Sequence, residues 1–266
     1  MNLEDIKVSI IISVLNAEKT IESCLESIIK QDHKNIEIIV IDGGSTDSTL
    51  HILERFAQKI DYFLSEPDFG IYDAWNKALN QVTGDWICFI GADDVIICNG
   101  IIEMLKLIDE DGINLISARV MLVNDLGEDV AEIGKSWDYL SLKRGLGIVH
   151  CGALHHASLF QNEKFDINYK IAGDFEFLLR IGPNIKARFL NKTIVRMFNG
   201  GSSRKHVNRV INETYRAILI CTSFTKLDAM LFLINSYLRE YIRTFFFQFT
   251  FGHALFNYWN KNTVNN

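Results

Sequence analysis

Acidic side chains in this chain fall repeatedly just past short apolar runs. Asn16 and Glu18 follow Val8–Val14, and Asp42 ends the run that begins at Ile36. Asp68 and Asp73 follow Tyr62–Leu64, and Asp93 and Asp94 follow Trp86–Ile90 after Gly91 and Ala92. Carboxylates crowded together repel one another unless a cation or hydrogen-bond donors stand among them. Mg2+ or Mn2+, held by one or two carboxylates and completed by ligand phosphates, meets that demand. The chemistry implied is a divalent-cation site for a phosphorylated ligand. Asp93-Asp94 alone also fits a turn or a helix cap; the repetition at four run ends favours the site.

Such a site needs elements that bring the acids to one edge. Val8–Val14 is a continuous, β-branched run that reads as a strand buried on both faces. Ile21, Leu25, Ile28 and Ile29 share one helical face. Ile36–Ile41 is a second buried strand, broken by Gly43-Gly44. Ser45, Thr46 and Asp47 then offer N-caps to a helix carrying Leu50, Leu53 and Phe56. A short strand at Tyr62–Leu64, a helix near Tyr72–Val82 and a strand at Trp86–Ile90 follow. Strands separated by amphipathic helices imply an α/β fold with a mainly parallel sheet, whose ligands bind beyond the carboxyl ends of the strands. The remainder is less regular, with an extended stretch at Leu115–Val123, a turn at Asn124–Gly127 and helices at Phe175–Arg180, Asn208–Cys221 and Leu227–Tyr241.

Composition narrows the class. The 266 residues include 27 Lys and Arg against 33 Asp and Glu, for a net charge of -6, and 48% are apolar. A full core is available, which excludes a mainly disordered chain. The net acidity argues against a protein that coats nucleic acid, while leaving room for one phosphorylated ligand. Cys24, Cys88, Cys98, Cys151 and Cys221 form no CxxC pair, so buried reduced thiols are expected rather than a disulfide framework or zinc knuckle. The start, Met1–Lys7, has no signal-peptide pattern, which points to the cytosol or its membrane face. Thr244–Trp259 has no Asp, Glu, Lys or Arg and is rich in Phe, Tyr and Trp. It is short for a membrane span. It fits a tail helix packed on the core or a partner, and equally an interfacial anchor flanked by Arg239, Arg243 and Lys261.

From Val8 to Asp94 the chain resembles family 2 glycosyltransferases, which have the GT-A fold. The matching stretches are VSIIISVLNAEKTIESCLESIIKQ, IEIIVIDGGSTDST, SEPDFGIYDAWNKALNQVTGDW and FIGADD, followed by HHASLF, IAGDFEFLLR and FNGGSS. SEPDFGIYDAWNKA is similar to the bacterial polysaccharide-assembly branch. The resemblance implies a GT-A domain over residues 1–205 and a helical, aromatic-rich segment over 206–266. It implies that Val14, Asn16 and Glu18 line the nucleoside pocket, that Asp42 accepts a hydrogen bond from the base, and that Asp73 and its loop close over the nucleotide. Asp93 matches the last acid of the metal-binding DxD motif, with Asp94 beside it, while Gly91 stands where the first acid is usual. Asp174 matches the catalytic base of an acidic ED motif, with Gly173 in place of the preceding Glu; it also fits a helix N-cap. His155, Glu176 and Arg180 are implied on the acceptor side, while Asn199-Gly200-Gly201-Ser202-Ser203, followed by Arg204 and Lys205, fits a loop closing over diphosphate and equally an ordinary turn.

The reaction so implied has simple requirements. A hydroxyl is a poor nucleophile at neutral pH, so a carboxylate must take its proton as the new bond forms. A divalent ion stabilises charge on the departing diphosphate. One in-line displacement inverts the anomeric configuration. The expectation is an inverting, metal-dependent (Mn2+ or Mg2+) transferase that moves one sugar from a nucleotide donor, UDP-linked hexose or N-acetylhexosamine. The expected acceptor is a lipid-linked saccharide in O-antigen, capsule or exopolysaccharide assembly, at the inner face of the cytoplasmic membrane. QxxRW, the motif of processive synthases, is absent. Two rivals stay open. Gly91 and Gly173 motivate a degenerate nucleotide-sugar-binding or scaffold protein. A sugar nucleotidyltransferase needs a Gly-rich basic loop where Leu15-Asn16-Ala17-Glu18 stands. Neither GxGxxG nor GxxxxGK[ST] occurs, which removes the main support for a dinucleotide oxidoreductase or a P-loop NTPase. His150, His155 and His156 lack a paired metal-ligand spacing, and Lys77 is expected to be a solvated lysine.

Overall fold

A computed structural model describes residues 2–109, 111–145 and 147–248, the side chains of Ser202 and residues 246–248 excepted. Its centre is a nine-stranded sheet. β1 (Val8–Val14), β2 (Ile36–Asp42), β3 (Tyr62–Ser65) and β4 (Trp86–Gly91) run parallel in the order β3-β2-β1-β4. They are joined by α1 (Ile21–Ile29), α2 (Thr49–Arg55) and α3 (Ile71–Leu79). Then come β5 (Val95–Ile96), α4 (Gly100–Leu105), β6 (Leu115–Val123), β7 (Asp129–Ile133), β8 (Ala153–His156), α5 (Gly173–Ile181) and β9 (Ala187–Phe198). β8 runs antiparallel between β4 and β6, β9 lies parallel to β6, and β5 and β7 close the edges in antiparallel pairs. The fold is therefore α/β, with a sheet parallel across its first four strands and mixed beyond them.

The period-2 alternation of the strands divides the core between the two sheet faces. Ile10 and Ile12 of β1 join Cys24, Leu25 and Ile28 of α1 and Met104 of α4 on one face. Ile11 joins Trp75 and Ala78 of α3 and Phe177 of α5 on the other. α6 (Ser202–Lys205), α7 (Val207–Ile220) and α8 (Lys226–Gln248) follow, and Ile211, Ile218, Ala229 and Phe232 extend the second core.

Several expectations change. Of the proposed N-caps, the Ser45 hydroxyl is taken up by Asp42, and the helix begins at Thr49, whose amide donates to Asp47 at 3.0 Å. Of the cysteines, Cys24, Cys88 and Cys151 are buried and none forms a disulfide, but Cys98 is exposed and Cys221 is half-buried. α8 is longer than the pattern suggested, and one face stays in solvent. Leu227, Met230, Leu231, Ile234, Tyr237, Leu238, Tyr241 and Phe245 recur at helical spacing and are 41 to 69% exposed. Among the described residues no helix is long and apolar enough to cross a membrane. Residues 249–259 of the aromatic stretch lie outside the described residues.

Candidate active site

The register aligns the carboxyl ends of β2, β1 and β4, with Val14 beside Asp42 and Ser13 beside Gly91. Two strand spacings, ~10 Å, separate the outer pair. Asp42 is fully buried and organises the loop after β2. Its Oδ2 accepts from the Gly44 and Ser45 amides at 3.0 Å each and from Ser65 Oγ at 2.7 Å, while Oδ1 accepts from Ser45 Oγ. Gly44 has φ +90°, which favours glycine there. The Asn16 amide donates to Ser45 Oγ at 2.8 Å, and Asn16 Oδ1 accepts from the Thr46 amide at 2.8 Å. Glu18 accepts from the Ser48 amide at 3.0 Å. The Val14 side chain belongs to the core, and its carbonyl accepts from the Gly43 amide at 2.9 Å. These residues form one hydrogen-bonded floor across the ends of β1 and β2.

The loop after β3 folds onto that floor. Asp68 lies so close to Gly43 that a Cβ there would stand 2.7 Å from Asp68 Oδ2. Asp73 accepts from the Phe69 amide at 3.1 Å and pairs with Lys77 at 3.2 Å. Lys77 also pairs with Glu66 at 2.8 Å, and that partner above all raises its pKa. Lys77 is thus a clamp between two acids, not the solvated lysine expected from its position.

Asp94 is 5% exposed and accepts from the Gly91 amide at 3.0 Å. Burial, and then the neighbouring charge of Asp93, push its pKa up to about 7. Asp93 opens to solvent, yet loss of surrounding water among the cleft walls raises its pKa as well. A Cβ at Gly91 would stand 2.8 Å from Asp93 Oδ1 and 3.1 Å from Asp94 Oδ2. Glycine therefore lets both carboxylates fold back over the strand end, and a larger residue there would have to move both. The pair borders a cleft of about 260 Å³ with Phe198, Asn199, Ser203 and Arg204. Among the described residues no three His, Cys, Asp or Glu side chains are grouped to hold a metal. Two carboxylates with raised pKa values nevertheless fit a cation that ligand phosphates complete, since positive charge relieves the strain on both.

Asp174 lies in the first turn of α5, half-buried, and burial raises its pKa. It borders a cavity of about 220 Å³ with Ala172, Phe175, Ser203 and Thr214. Ser203 borders both cavities, so Asp93, Asp94 and Asp174 face adjoining spaces. The approach to α5 is fixed from α7. Glu213 Oε2 accepts from the amides of Lys170, Ile171 and Ala172 at 3.0, 2.9 and 2.9 Å. Lys170 Nζ donates to the Phe69 carbonyl at 2.6 Å, tying this loop to the one that leads into α3 and Asp73. Ser203 belongs to the FNGGSS stretch, whereas Glu213 and Tyr72, whose hydroxyl donates to Asp174 at 3.0 Å, carry no role in the sequence pattern.

Three of the expected acceptor-side residues lie elsewhere. His155 is fully buried on β8 between Phe89 and Phe160, with the His150 ring 4.5 Å away, so it cannot touch an acceptor. Glu176 and Arg180 pair at 2.8 Å, and Arg180 also pairs with Glu163 and caps the Phe177 ring at 5.5 Å. Two residues along a helix is about 200° of rotation, which turns Glu176 away from the Asp174 face. Glu176 and Arg180 border a different cavity, beside Tyr139 and Cys221. Ser202 lies in α6, and its side chain is outside the described residues.

The sequence model of "Glycosyl transferase family 2" matches residues 9–164. A "PGL/p-HBAD biosynthesis glycosyltransferase" of Mycobacterium bovis (strain BCG / Pasteur 1173P2) is 29% identical over 211 residues, covering 76% of this chain and 80% of the relative. The "UDP-Glc:alpha-D-GlcNAc-diphosphoundecaprenol beta-1,3-glucosyltransferase WfgD" of Escherichia coli is 30% identical over 149 residues, covering 54% and 59%. Among solved structures, S. aureus TarS 1-349 in complex with UDP superposes with TM-score 0.65 at 22% identity, over 88% of this chain and 72% of TarS 1-349. The mannosyltransferase PcManGT from Pyrobaculum calidifontis, with GDP-Man and Mn2+, also gives TM-score 0.65, at 18% identity, over 86% of this chain and 70% of its own.

Proposed function

Because the chain belongs to glycosyltransferase family 2 and has the GT-A fold, we propose that it is an inverting, metal-dependent enzyme that transfers one sugar per encounter from a UDP-linked hexose or N-acetylhexosamine to a lipid-linked saccharide in surface-polysaccharide assembly. The observation that carries this reading is the meeting of Asp93-Asp94 and Asp174 on adjoining cavities that share Ser203. The donor and acceptor classes follow those named for WfgD, a UDP-glucose donor and a diphosphoundecaprenol-linked sugar.

Each part has a residue to perform it. Val14, Asn16, Glu18 and Asp42 form the nucleoside floor, and Asp73 holds the loop that covers it. Asp93 and Asp94 would hold Mn2+ or Mg2+, which supplies positive charge against the leaving diphosphate. Asp174 takes the acceptor's hydroxyl proton. The acceptor oxygen then bonds to the anomeric carbon as the carbon–oxygen bond to the diphosphate breaks, and the configuration inverts.

Thermal shift across UDP- and GDP-sugars, with and without Mn2+, tests the binding half, since a ligand that binds only the folded state raises stability by mass action. A UDP-sugar should raise the melting temperature only with metal. Asp93→Asn should weaken that metal-dependent binding by about tenfold or more, ~1.4 kcal/mol. Equal affinity for the donor in Asp93→Asn would remove Asp93 from the metal site.

The exposed face of α8 leads into the aromatic stretch Thr244–Trp259, and this continuity supports a peripheral contact with the inner face of the cytoplasmic membrane. Removing α8 would uncover the core around Phe232, so the better probe keeps the helix. The full chain should float with anionic liposomes, and the double variant Leu231→Glu, Leu238→Glu should stay in the dense fraction. Equal distribution of the two proteins would refute the contact.

A further inference from the structure

Tyr72 and Gly173 form a unit that the reaction as outlined does not use. The Tyr72 ring is buried at the start of α3, edge-on to Trp75 at 5.4 Å and stacked with Phe165 at 5.7 Å. Its hydroxyl reaches two acceptors, the Ile171 carbonyl at 2.6 Å and Asp174 Oδ1 at 3.0 Å. Both belong to the segment that enters α5. A Cβ on Gly173 would stand 2.7 Å from the ring edge at Cε2. The ring therefore fills the space that a side chain at residue 173 would need. The sequence departs from the family's acidic pair at this residue, and a glutamate here could not coexist with Tyr72 as it stands.

We infer that Tyr72 is a positioning residue for proton transfer at Asp174, and that residue 173 is glycine because the Tyr72 ring takes its place. This rests on reading Asp174 as the base. The phenol's single O–H is shared between the Ile171 carbonyl and Oδ1, which holds the carboxylate's rotamer and leaves Oδ2 to receive the proton. A hydrogen bond to the ionised carboxylate favours that form over the neutral acid, so the Phe175 amide and then the Tyr72 hydroxyl oppose the upward pull of burial on the base. The phenol itself stays protonated, because burial and the adjacent Asp174 raise its pKa. The other charge facing Asp174 is Glu213 of α7, which opposes ionisation.

The test uses the full chain, Mn2+ and UDP-glucose, or another UDP-sugar that proves to bind, with water as acceptor. The carbon–oxygen bond to UDP breaks, water oxygen joins the anomeric carbon, its proton goes to Asp174, and released UDP is measured. Tyr72→Phe keeps the ring and loses the donor. The acidic limb of its pH–rate profile should move up by about one pH unit, and its limiting kcat should fall by roughly tenfold, with KM for the donor unchanged. Gly173→Ala, which pushes the ring aside, should move the limb in the same direction while keeping a cooperative melt. An unmoved limb in Tyr72→Phe, with Asp174→Asn inactive, overturns the positioning role and leaves the base assignment standing. An active Asp174→Asn overturns the base assignment itself.

Discussion

Asp174→Asn binds its donor as well as the parent protein and transfers almost no sugar. A positioned general base contributes about 10²- to 10⁴-fold, so kcat should fall by that much, ~3–5 kcal/mol in the barrier. Asparagine is nearly isosteric and its carbonyl still accepts from the Tyr72 hydroxyl, so the turn into α5 is preserved. The measurements are product formation at saturating donor and, separately, donor affinity by thermal shift. Wild-type turnover in this variant would leave the proton transfer without a base at residue 174. The parent's rate should also depend on pH in one direction. The base works ionised and burial raises its pKa, so activity is lost as pH falls through that raised value rather than at the usual carboxylate pKa.

The second large effect concerns stability. His150 and His155 pack with tilted rings inside the aromatic core, and neither His150 nitrogen has a hydrogen-bond partner among the described residues. Burial pushes the His150 pKa down to about 3, and burial together with His150 holds His155 well below its usual value. Both rings stay neutral in the folded chain, while in the unfolded chain each takes a proton below about pH 6.5. The unfolded state then binds more protons, so their contribution is intact above that pH and is lost as pH falls. The slope is ~1.4 kcal/mol per pH unit for each ring. Asp94 acts in the opposite sense between the ordinary carboxylate range and its value near 7, and Asp93 and Asp174 shift the same way. The net pH profile of the parent therefore conceals the histidines, and a comparison exposes them. Relative to the parent, the double variant His150→Leu, His155→Leu should gain ~4 kcal/mol on going from pH 7 to pH 5. Chemical denaturation at both pH values measures this. An unchanged difference would mean that the rings do not titrate differently on unfolding.

The first four strands were legible because their signals are local. β1, β2 and β4 are short, mostly apolar runs, with β2 ending in Asp42 and β4 in Gly91, and such runs suit strands buried on both faces; β3 is a shorter edge strand marked by Tyr62, Phe63 and Leu64. β9 escaped notice because Arg188, Lys192 and Arg196 punctuate it and its register with β6 shifts near Arg119. Those cations pair with Asp109, Glu103 and Asp129, partners far away in sequence. β8 is only four residues long. At the site, the strand-end acids could be found by type and position, and Asp174 only through the resemblance of its stretch to an acidic family motif. Glu213 could not, because its value lies in three amides of a loop that only the fold brings near. His155, Glu176 and Arg180 show the reverse error. Alternation along β8 and rotation along α5 decide which way a side chain looks, and a motif records neither.

Glu213 has a further consequence for how the molecule divides. It sits in the helical portion after residue 205, yet it satisfies the backbone leading into the helix that carries Asp174. A piece cut at residue 205 would strand three peptide N–H groups ahead of α5 and loosen the turn that sets Asp174. Sheet and trailing helices are therefore soldered across that boundary, and scissors placed there would damage both halves.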